Sequence, residues 1–154
     1  MSDTNGLSRC AGQELARELV AASGARPADN VTIAGSGHIE VLIEFLRRGF
    51  SDVLCRSAVH GPHMAAPPAD VLIAPNVASE ADLHGILTRL ASDLRPRGVL
   101  VISCAKTFSS FDERRLRRRL MESGFTAIER IAARGDVGTL WCAYMQAASM
   151  RRAA

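Results

Sequence analysis

Apolar residues in this chain fall into short continuous runs separated by segments with helical spacing. The runs predict buried strands, because a strand that is covered on both faces loses the usual alternation of apolar and polar residues. Segments with apolar residues three and four positions apart predict helices between those strands. The predicted strands are 31–34, 52–55, 71–74, 99–103, 126–132 and 139–145. The predicted helices are 13–23, 38–48, 80–94 and 111–122.

The order of these elements predicts the topology of the sheet. Strand-helix-strand units join parallel strands by right-handed crossovers, and continuous apolar strands require cover on both faces. The last turn, residues 134–138, is short enough for a hairpin, so the final strand is expected to run antiparallel. We therefore predict an α/β fold with a doubly wound, mostly parallel sheet of about six strands, helices on both faces and an antiparallel final strand.

The helical spacing also predicts which side chains face the core. Since residues three and four positions apart share one face, each helix has one expected apolar stripe. The expected inward-facing residues are Ile39, Leu42, Ile43 and Leu46 in the second helix, Leu83, Ile86, Leu87 and Leu90 in the third, and Leu116 and Leu120 in the fourth.

The length of the chain fits one domain. Residues 1–12 are expected to form a flexible N-terminal tail, residues 13–146 a single domain, and residues 147–154 a frayed C-terminal tail. The apolar runs are too short to cross a bilayer, and the first residues lack the layout of a signal peptide. We therefore expect a cytoplasmic protein with no membrane partner.

Neither the charge of the chain nor its potential metal ligands indicates a specialised function. The net charge of +3 is modest, and the arginines of segment 114–119 are spread over a helix face, which favours a solvated surface over an acidic partner or RNA. Nucleic-acid binding is therefore not expected. The four cysteines form no C-x-x-C pair. His60 and His63 lack an evident third ligand, so no metal site is predicted.

The sequence Gly35-Ser36-Gly37 follows the first predicted strand and precedes a helix. Glycine adopts backbone angles closed to other residues, and the N–H groups at a helix N-terminus attract carboxylates and phosphates. In sheets of this type, ligands bind at the carboxyl ends of the strands where the strand order reverses. We therefore predict a ligand crevice at this turn, beside His38; the alternative is a tight strand-to-helix turn with no ligand.

Four stretches resemble the Rossmann-like (class I) S-adenosylmethionine-dependent methyltransferase family, in a shortened form. They are the glycine-rich segment 31–37, the strand end 69–76, the L-x-P-x-G-x-L strand entry within 94–103, and the late helix-to-strand segment 122–128 with its closing hairpin. If the family order applies, the helix and strand that lie outside the second strand are missing.

The resemblance implies S-adenosylmethionine as the cofactor and an unidentified small molecule or protein as the methyl acceptor. Catalysis would consist mainly of positioning. Asn76 would be the catalytic residue that orients the acceptor, although it is equally typical of a loop or a cap. The implied cofactor-binding residues are Ala34, Gly35, Ser36, Gly37, His38, Cys55, Arg56 and Pro75.

Two departures from the family pattern support alternative hypotheses. The first motif lacks its acidic residue, and Cys55 and Arg56 stand where the second strand would end in an acid. A non-catalytic methyltransferase-like interaction or subunit module without a cofactor is therefore the second hypothesis. An NADP-binding protein is the third, favoured by Arg56 and opposed by the bulk and charge of Glu40. An exposed edge at the second strand favours a homodimer.

Overall fold

The fold is seen in a computed structural model of the chain, which describes residues 4–35, 38–58, 66–105, 113–134 and 138–146, without the side chains of residues 4–10. The helices are α1 (Thr4–Ser23), α2 (Ile39–Arg47), α3 (Glu80–Arg89) and α4 (Glu113–Glu122). The strands are β1 (Val31–Ala34), β2 (Val53–Arg56), β3 (Ala69–Val77), β4 (Leu94–Cys104), β5 (Phe125–Ala132) and β6 (Thr139–Met145).

The strands form one sheet in the order β2-β1-β3-β4-β6-β5. Strands β2, β1, β3 and β4 are parallel, whereas β6 runs antiparallel to both of its neighbours. The predicted six-stranded, doubly wound sheet with a reversed last strand is confirmed. The chain leaves β1 toward β2 on one side and later returns to β3 on the other, so the strand order reverses between β1 and β3.

Two apolar layers cover the sheet. On one face, Leu83 and Ile86 of α3 and Leu116 and Leu120 of α4 are buried, together with Trp141 of β6. On the other face, α1 and α2 pack over the central strands. The inward-facing residues predicted for α3 and α4 are confirmed, with Leu87 partly buried. Within the described residues, no helix combines the length and apolar character needed to cross a bilayer.

The predicted buried face of α2 was wrong. Ile39, Ile43 and Leu46 are 60%, 38% and 52% exposed, and the buried residues of the helix are Val41 and Phe45. The helix has two apolar stripes, and the stripe that contains Phe45 packs against the core. Phe45 fills the space over the sheet and meets the ring edge of Phe50, with the ring centroids 4.9 Å apart. Leu42, between the stripes, is partly buried.

Two helix boundaries also differ from the expected ones. Helix α1 begins at Thr4 rather than Gln13, so residues 4–12 are not the loose tail that was expected. This segment contains no proline, and its end at Gly12 lies against α2, where a Cβ would be in ordinary contact with Cγ of Glu40 at 3.6 Å. Helix α3 ends at Arg89, followed by a short 3₁₀ turn. Residues 1–3 and the predicted tail 147–154 lie outside the described residues.

Candidate functional site

A cleft of about 430 Å³ opens at the carboxyl ends of β1 and β3, where the strand order reverses. This volume lies in the range of small-molecule sites, and the position is the one at which open α/β sheets bind ligands. The lining combines main chain and polar side chains with apolar residues from β1, β3, the segment after β2 and α3. The lining residues are Ala34, Gly35, His38, Ser57, Ala58, Pro75, Asn76, Val77, Asp82 and Ile86.

Gly35 turns the chain out of β1 with a φ of +101°, a conformation that other residues rarely adopt. Its backbone N–H donates a hydrogen bond of 2.7 Å to the carbonyl oxygen of Arg56, which ties the turn to the end of β2. A Cβ at Gly35 would lie 3.1 Å from Nε2 of His38. Glycine is therefore favoured here by the backbone angle, and a Cβ would also crowd the imidazole that packs against it.

His38 occupies the N-cap position of α2 and lines the cleft without capping the helix through its side chain. Burial lowers the pKa of His38 below its ordinary value of 6.5, although the neighbouring charge of Glu40 partly offsets that effect. The imidazole is therefore neutral at pH 7, with one nitrogen that donates and one that accepts hydrogen bonds. A neutral ring of this kind can contact a ligand without placing a charge beside it.

Asn76 sits where β3 departs from regular pairing. The register between β3 and β4 shifts between Ala74 and Val77, and Asn76 has a φ of +52°. Asparagine tolerates this left-handed conformation better than most residues. The backbone N–H of Asn76 donates a hydrogen bond of 2.7 Å to Oγ of Ser103, a buried side chain of β4. The irregularity leaves Asn76 exposed at the rim of the cleft.

Asp82 is a cleft residue that the sequence analysis missed. The Ser79 hydroxyl accepts the backbone N–H of Asp82 at 3.1 Å, and Oδ2 of Asp82 accepts the backbone N–H of Ala78 at 3.3 Å. These two bonds resemble a capping box, with the carboxylate bonded to Ala78, the residue before the N-cap, and they fix that carboxylate at the first turn of α3. The S-x-x-D pattern of residues 79–82 was a signal that could have identified this orientation. The cleft thus contains an acidic group that can accept hydrogen bonds from hydroxyl or amino groups.

The structure brings five of the nine residues predicted from the sequence to the lining of the cleft. They are Ala34, Gly35, His38, Pro75 and Asn76. Ser36 and Gly37 lie outside the described residues. Ser57, Ala58, Val77 and Ile86 were also missed; no motif identified them, because they reach the cleft through the packing of β2, β3 and α3.

Cys55 and Arg56 do not contribute to the lining of the cleft as the structure describes it. Cys55 lies on the outermost strand and is exposed. The Arg56 guanidinium donates a hydrogen bond of 2.5 Å to Oδ2 of Asp93, and both side chains are largely shielded from solvent. Residues at the end of β2 are close to the cleft through their main chain, but the arginine side chain already has a carboxylate partner.

Histidine, cysteine and acidic side chains in the described ranges form no group of three that could hold a metal ion. His60 and His63 lie outside those ranges. Arginines of α4 pair within the chain: Arg115 with Glu80 at 3.0 Å and Arg117 with Glu113 at 3.1 Å. Arg117 also lies over the Trp141 ring. These contacts give the arginine-rich helix a structural role.

No family model and no curated protein matches the chain. Solved structures do match the chain. The glycopeptide N-methyltransferase MtfA is similar over 87% of this chain and 90% of its own, with a TM-score of 0.66 and 16% identity. DesVI of Streptomyces venezuelae is similar over 94% of this chain and 98% of its own, with a TM-score of 0.64 and 10% identity.

The magnesium protoporphyrin IX methyltransferase ChlM of Synechocystis PCC 6803, solved with bound SAM, is similar over 90% of this chain and 81% of its own. Its TM-score is 0.63 and its sequence is 18% identical. At identities this low, the structural similarity shows the fold alone. The sheet order, the reversed last strand and these neighbours agree: this chain has a class I methyltransferase-like fold.

Proposed function

We propose that the cleft between β1 and β3 binds S-adenosylmethionine and that the chain transfers its methyl group to an acceptor that is not yet identified. One observation carries the proposal: the cleft lies at the point where the strand order reverses, and Gly35 opens its main chain to a ligand there. A solved methyltransferase of the same fold, ChlM, contains bound SAM.

The residues that line the cleft fit such a ligand in size and in polarity. A volume of about 430 Å³ can hold a molecule of nucleoside size. Gly35 has no side chain, and a Cβ there would crowd the His38 ring. The positively charged sulfonium and amino groups of the cofactor favour a neutral His38 over an imidazolium, and burial keeps that ring neutral.

Asp82 supplies the negative charge that the end of β2 lacks. Its Oδ2 accepts the Ala78 N–H, and its other oxygen remains able to accept a hydrogen bond from a ribose hydroxyl or an amino group. We assign Asp82 to cofactor recognition in place of the acid that is missing beside Cys55. A charge-assisted hydrogen bond of this kind is worth roughly 1.5–3 kcal/mol.

Asn76 is the residue best placed to orient the acceptor. The bound cofactor would supply an electrophilic methyl group on a sulfonium. The side-chain amide of Asn76 can accept a hydrogen bond from an amino or hydroxyl acceptor and direct its lone pair toward that methyl group. With the cofactor bound, the acceptor would receive the methyl group as the carbon–sulfur bond breaks, and its proton would pass to solvent. His38 is neutral at pH 7 and can accept that proton from an acceptor that lies within hydrogen-bond distance of its ring.

A non-catalytic methyltransferase-like module is the second candidate function. The observation that favours it is the end of β2, where Cys55 is exposed and Arg56 is paired with Asp93 instead of facing the cleft. That pair also opposes the NADP hypothesis, because an arginine that binds a 2′-phosphate must turn its guanidinium toward the ligand.

Thermal-shift titrations with S-adenosylmethionine, S-adenosylhomocysteine and NADPH separate these functions. We expect both sulfur ligands to raise the melting temperature in proportion to the logarithm of their concentration, and NADPH to leave it unchanged. Asp82→Asn is the matched variant, because its amide oxygen can still accept the Ala78 N–H while the charge is lost. It should weaken both ligands roughly tenfold or more. No shift with any ligand would favour the non-catalytic module, and a shift with NADPH alone would support a dinucleotide site.

A further inference from the structure

Gly85 lies in the middle of α3, where glycine disfavours the helix relative to alanine. Its φ is not in the left-handed region, so the backbone does not require glycine at this position. Its surroundings do, because a Cβ at Gly85 would lie only 2.8 Å from the carbonyl oxygen of Ala58, whereas an ordinary contact begins at 3.4 Å. Glycine therefore allows α3 to lie directly against the main chain that follows β2.

This contact lies where two walls of the cleft meet. Ser57 and Ala58 line the cleft from the segment after β2, and Asp82 and Ile86 line it from α3. Gly85 is not itself a lining residue, but it follows Asp82 by three positions and immediately precedes Ile86. The distance between α3 and the Ala58 carbonyl therefore determines how far apart the two walls lie.

Both walls are also held at other points. On the side of α3, Leu83 and Ile86 are buried in the core. On the side of β2, the Arg56 carbonyl accepts the N–H of Gly35 at 2.7 Å, and the Arg56 guanidinium is paired with Asp93. A methyl group between the two walls would therefore push against two anchored segments of main chain rather than against a flexible side chain.

We propose that Gly85 is a positioning residue, which sets the separation of the two walls that enclose the bound S-adenosyl ligand. This inference rests on the proposed function, since it assigns Gly85 a role in ligand binding that acts through Ala58 and Asp82. A Cβ at Gly85 would move the walls apart by about 0.6 Å, from 2.8 to 3.4 Å. A gap of that size weakens dispersion contacts and hydrogen bonds on both sides of a ligand.

Calorimetric titration of the full chain with S-adenosylhomocysteine tests the proposal. Alanine normally stabilises a helix interior relative to glycine, so without the Ala58 contact Gly85→Ala should bind as the wild type does. We expect its dissociation constant to rise roughly tenfold or more. Gly12→Ala is the matched control, because Gly12 also lies inside a helix and a Cβ there would be in ordinary contact at 3.6 Å. That variant should keep the wild-type affinity.

A second background separates positioning from a general loss of stability. Ala58→Gly frees the backbone at residue 58, so that the carbonyl can turn away from the methyl group that Gly85→Ala adds. In the Ala58→Gly background, Gly85→Ala should therefore raise the dissociation constant less than about threefold, since substitutions in contact are coupled and independent ones are additive. This comparison stands on its own if Gly85→Ala alone does not fold.

Amide NMR spectra of the unliganded proteins distinguish this inference from the proposed function. Gly85→Ala should shift the resonances of Ser57 and Ala58, whereas Gly12→Ala should leave both unchanged. Wild-type affinity in Gly85→Ala, an equal loss of affinity in both backgrounds, or unchanged resonances would each overturn the role of Gly85. Absence of S-adenosylhomocysteine binding by the wild type, with these resonances shifted in Gly85→Ala, would instead contradict the proposed function and with it the ligand that Gly85 is assigned to position.

Discussion

The backbone N–H of Asn76 donates a hydrogen bond to Oγ of Ser103, and so joins β3, which lines the cleft, to the neighbouring strand β4. Ser103 is 1% exposed, so this bond is shielded from water. It fixes an asparagine in the left-handed region at the point where the register of β3 and β4 shifts. A buried hydroxyl of the core therefore determines how an exposed amide is presented to a ligand.

Replacement of Ser103 by alanine should lower the free energy of unfolding by about 1–3 kcal/mol, because the Asn76 N–H loses its partner inside the protein. Chemical denaturation at equilibrium measures the change. Ser123→Ala is the control, since the half-buried Ser123 donates its hydroxyl to the Arg119 carbonyl oxygen in a bond exposed to solvent, and its loss should cost less than about 0.5 kcal/mol. Equal costs for the two variants would contradict the role of the buried bond.

Two replacements of Asn76 separate its backbone from its side chain. Alanine disfavours a φ of +52°, whereas glycine accepts it. We expect Asn76→Ala to be about 1 kcal/mol less stable than Asn76→Gly. The difference is measured in denaturant under identical conditions. If alanine proved as stable as glycine, the left-handed conformation would not be a constraint at this position.

A side chain at Gly35 should be harmful for two reasons. Gly35→Ala strains a φ of +101° and places a Cβ 3.1 Å from the His38 ring. We expect it to lower the free energy of unfolding by about 1–3 kcal/mol. Gly49→Ala has a φ of +87° but open space around its Cβ, so it measures the backbone strain without the contact. The excess cost at Gly35 reports the packing of His38, and no excess would mean that the ring moves away freely.

Stability should depend on pH through His38. Burial lowers the pKa of this side chain below 6.5 in the folded protein, so the unfolded chain takes up a proton first as the pH falls. The contribution of neutral His38 is therefore fully present above pH 6.5 and is lost as the pH falls through the folded pKa. The free energy of unfolding of His38→Asn should depend less steeply on pH below 6.5 than that of the wild type. Parallel profiles for the two proteins would contradict this.

The sheet could be predicted because its signals are local. Apolar runs such as 99–103 mark buried strands without reference to the rest of the chain, and the turn at 134–138 is too short for anything but a reversal. The position of the cleft followed from the strand order, since ligands bind where that order reverses. This is why Gly35 and Asn76 could be assigned to one site although they are 41 residues apart in sequence.

Three other features could not be predicted, because they depend on tertiary packing that no local pattern encodes. Helix α2 has two apolar stripes of similar spacing, and the choice between Phe45 and Ile43 is made by the space above β1 and by contact with Phe50. The orientation of Arg56 could not be foreseen, because Asp93 is 37 residues away in sequence. Asp82 was missed for a different reason. It belongs to a recognisable cap, but its proximity to the cleft arises from how α3 docks on the sheet.

Isothermal titration calorimetry with S-adenosylhomocysteine tests most directly whether the cleft binds an adenosine-containing ligand. We expect saturable binding of one ligand per chain by the wild type. In Gly35→Ala the affinity should fall roughly tenfold or more, because the added methyl group crowds the His38 ring that lines the cleft. Met121→Ala, on an exposed face of α4, should bind as the wild type does. Absence of binding by the wild type at millimolar ligand, or equal affinities for the wild type and Gly35→Ala, would contradict the assignment of the cleft.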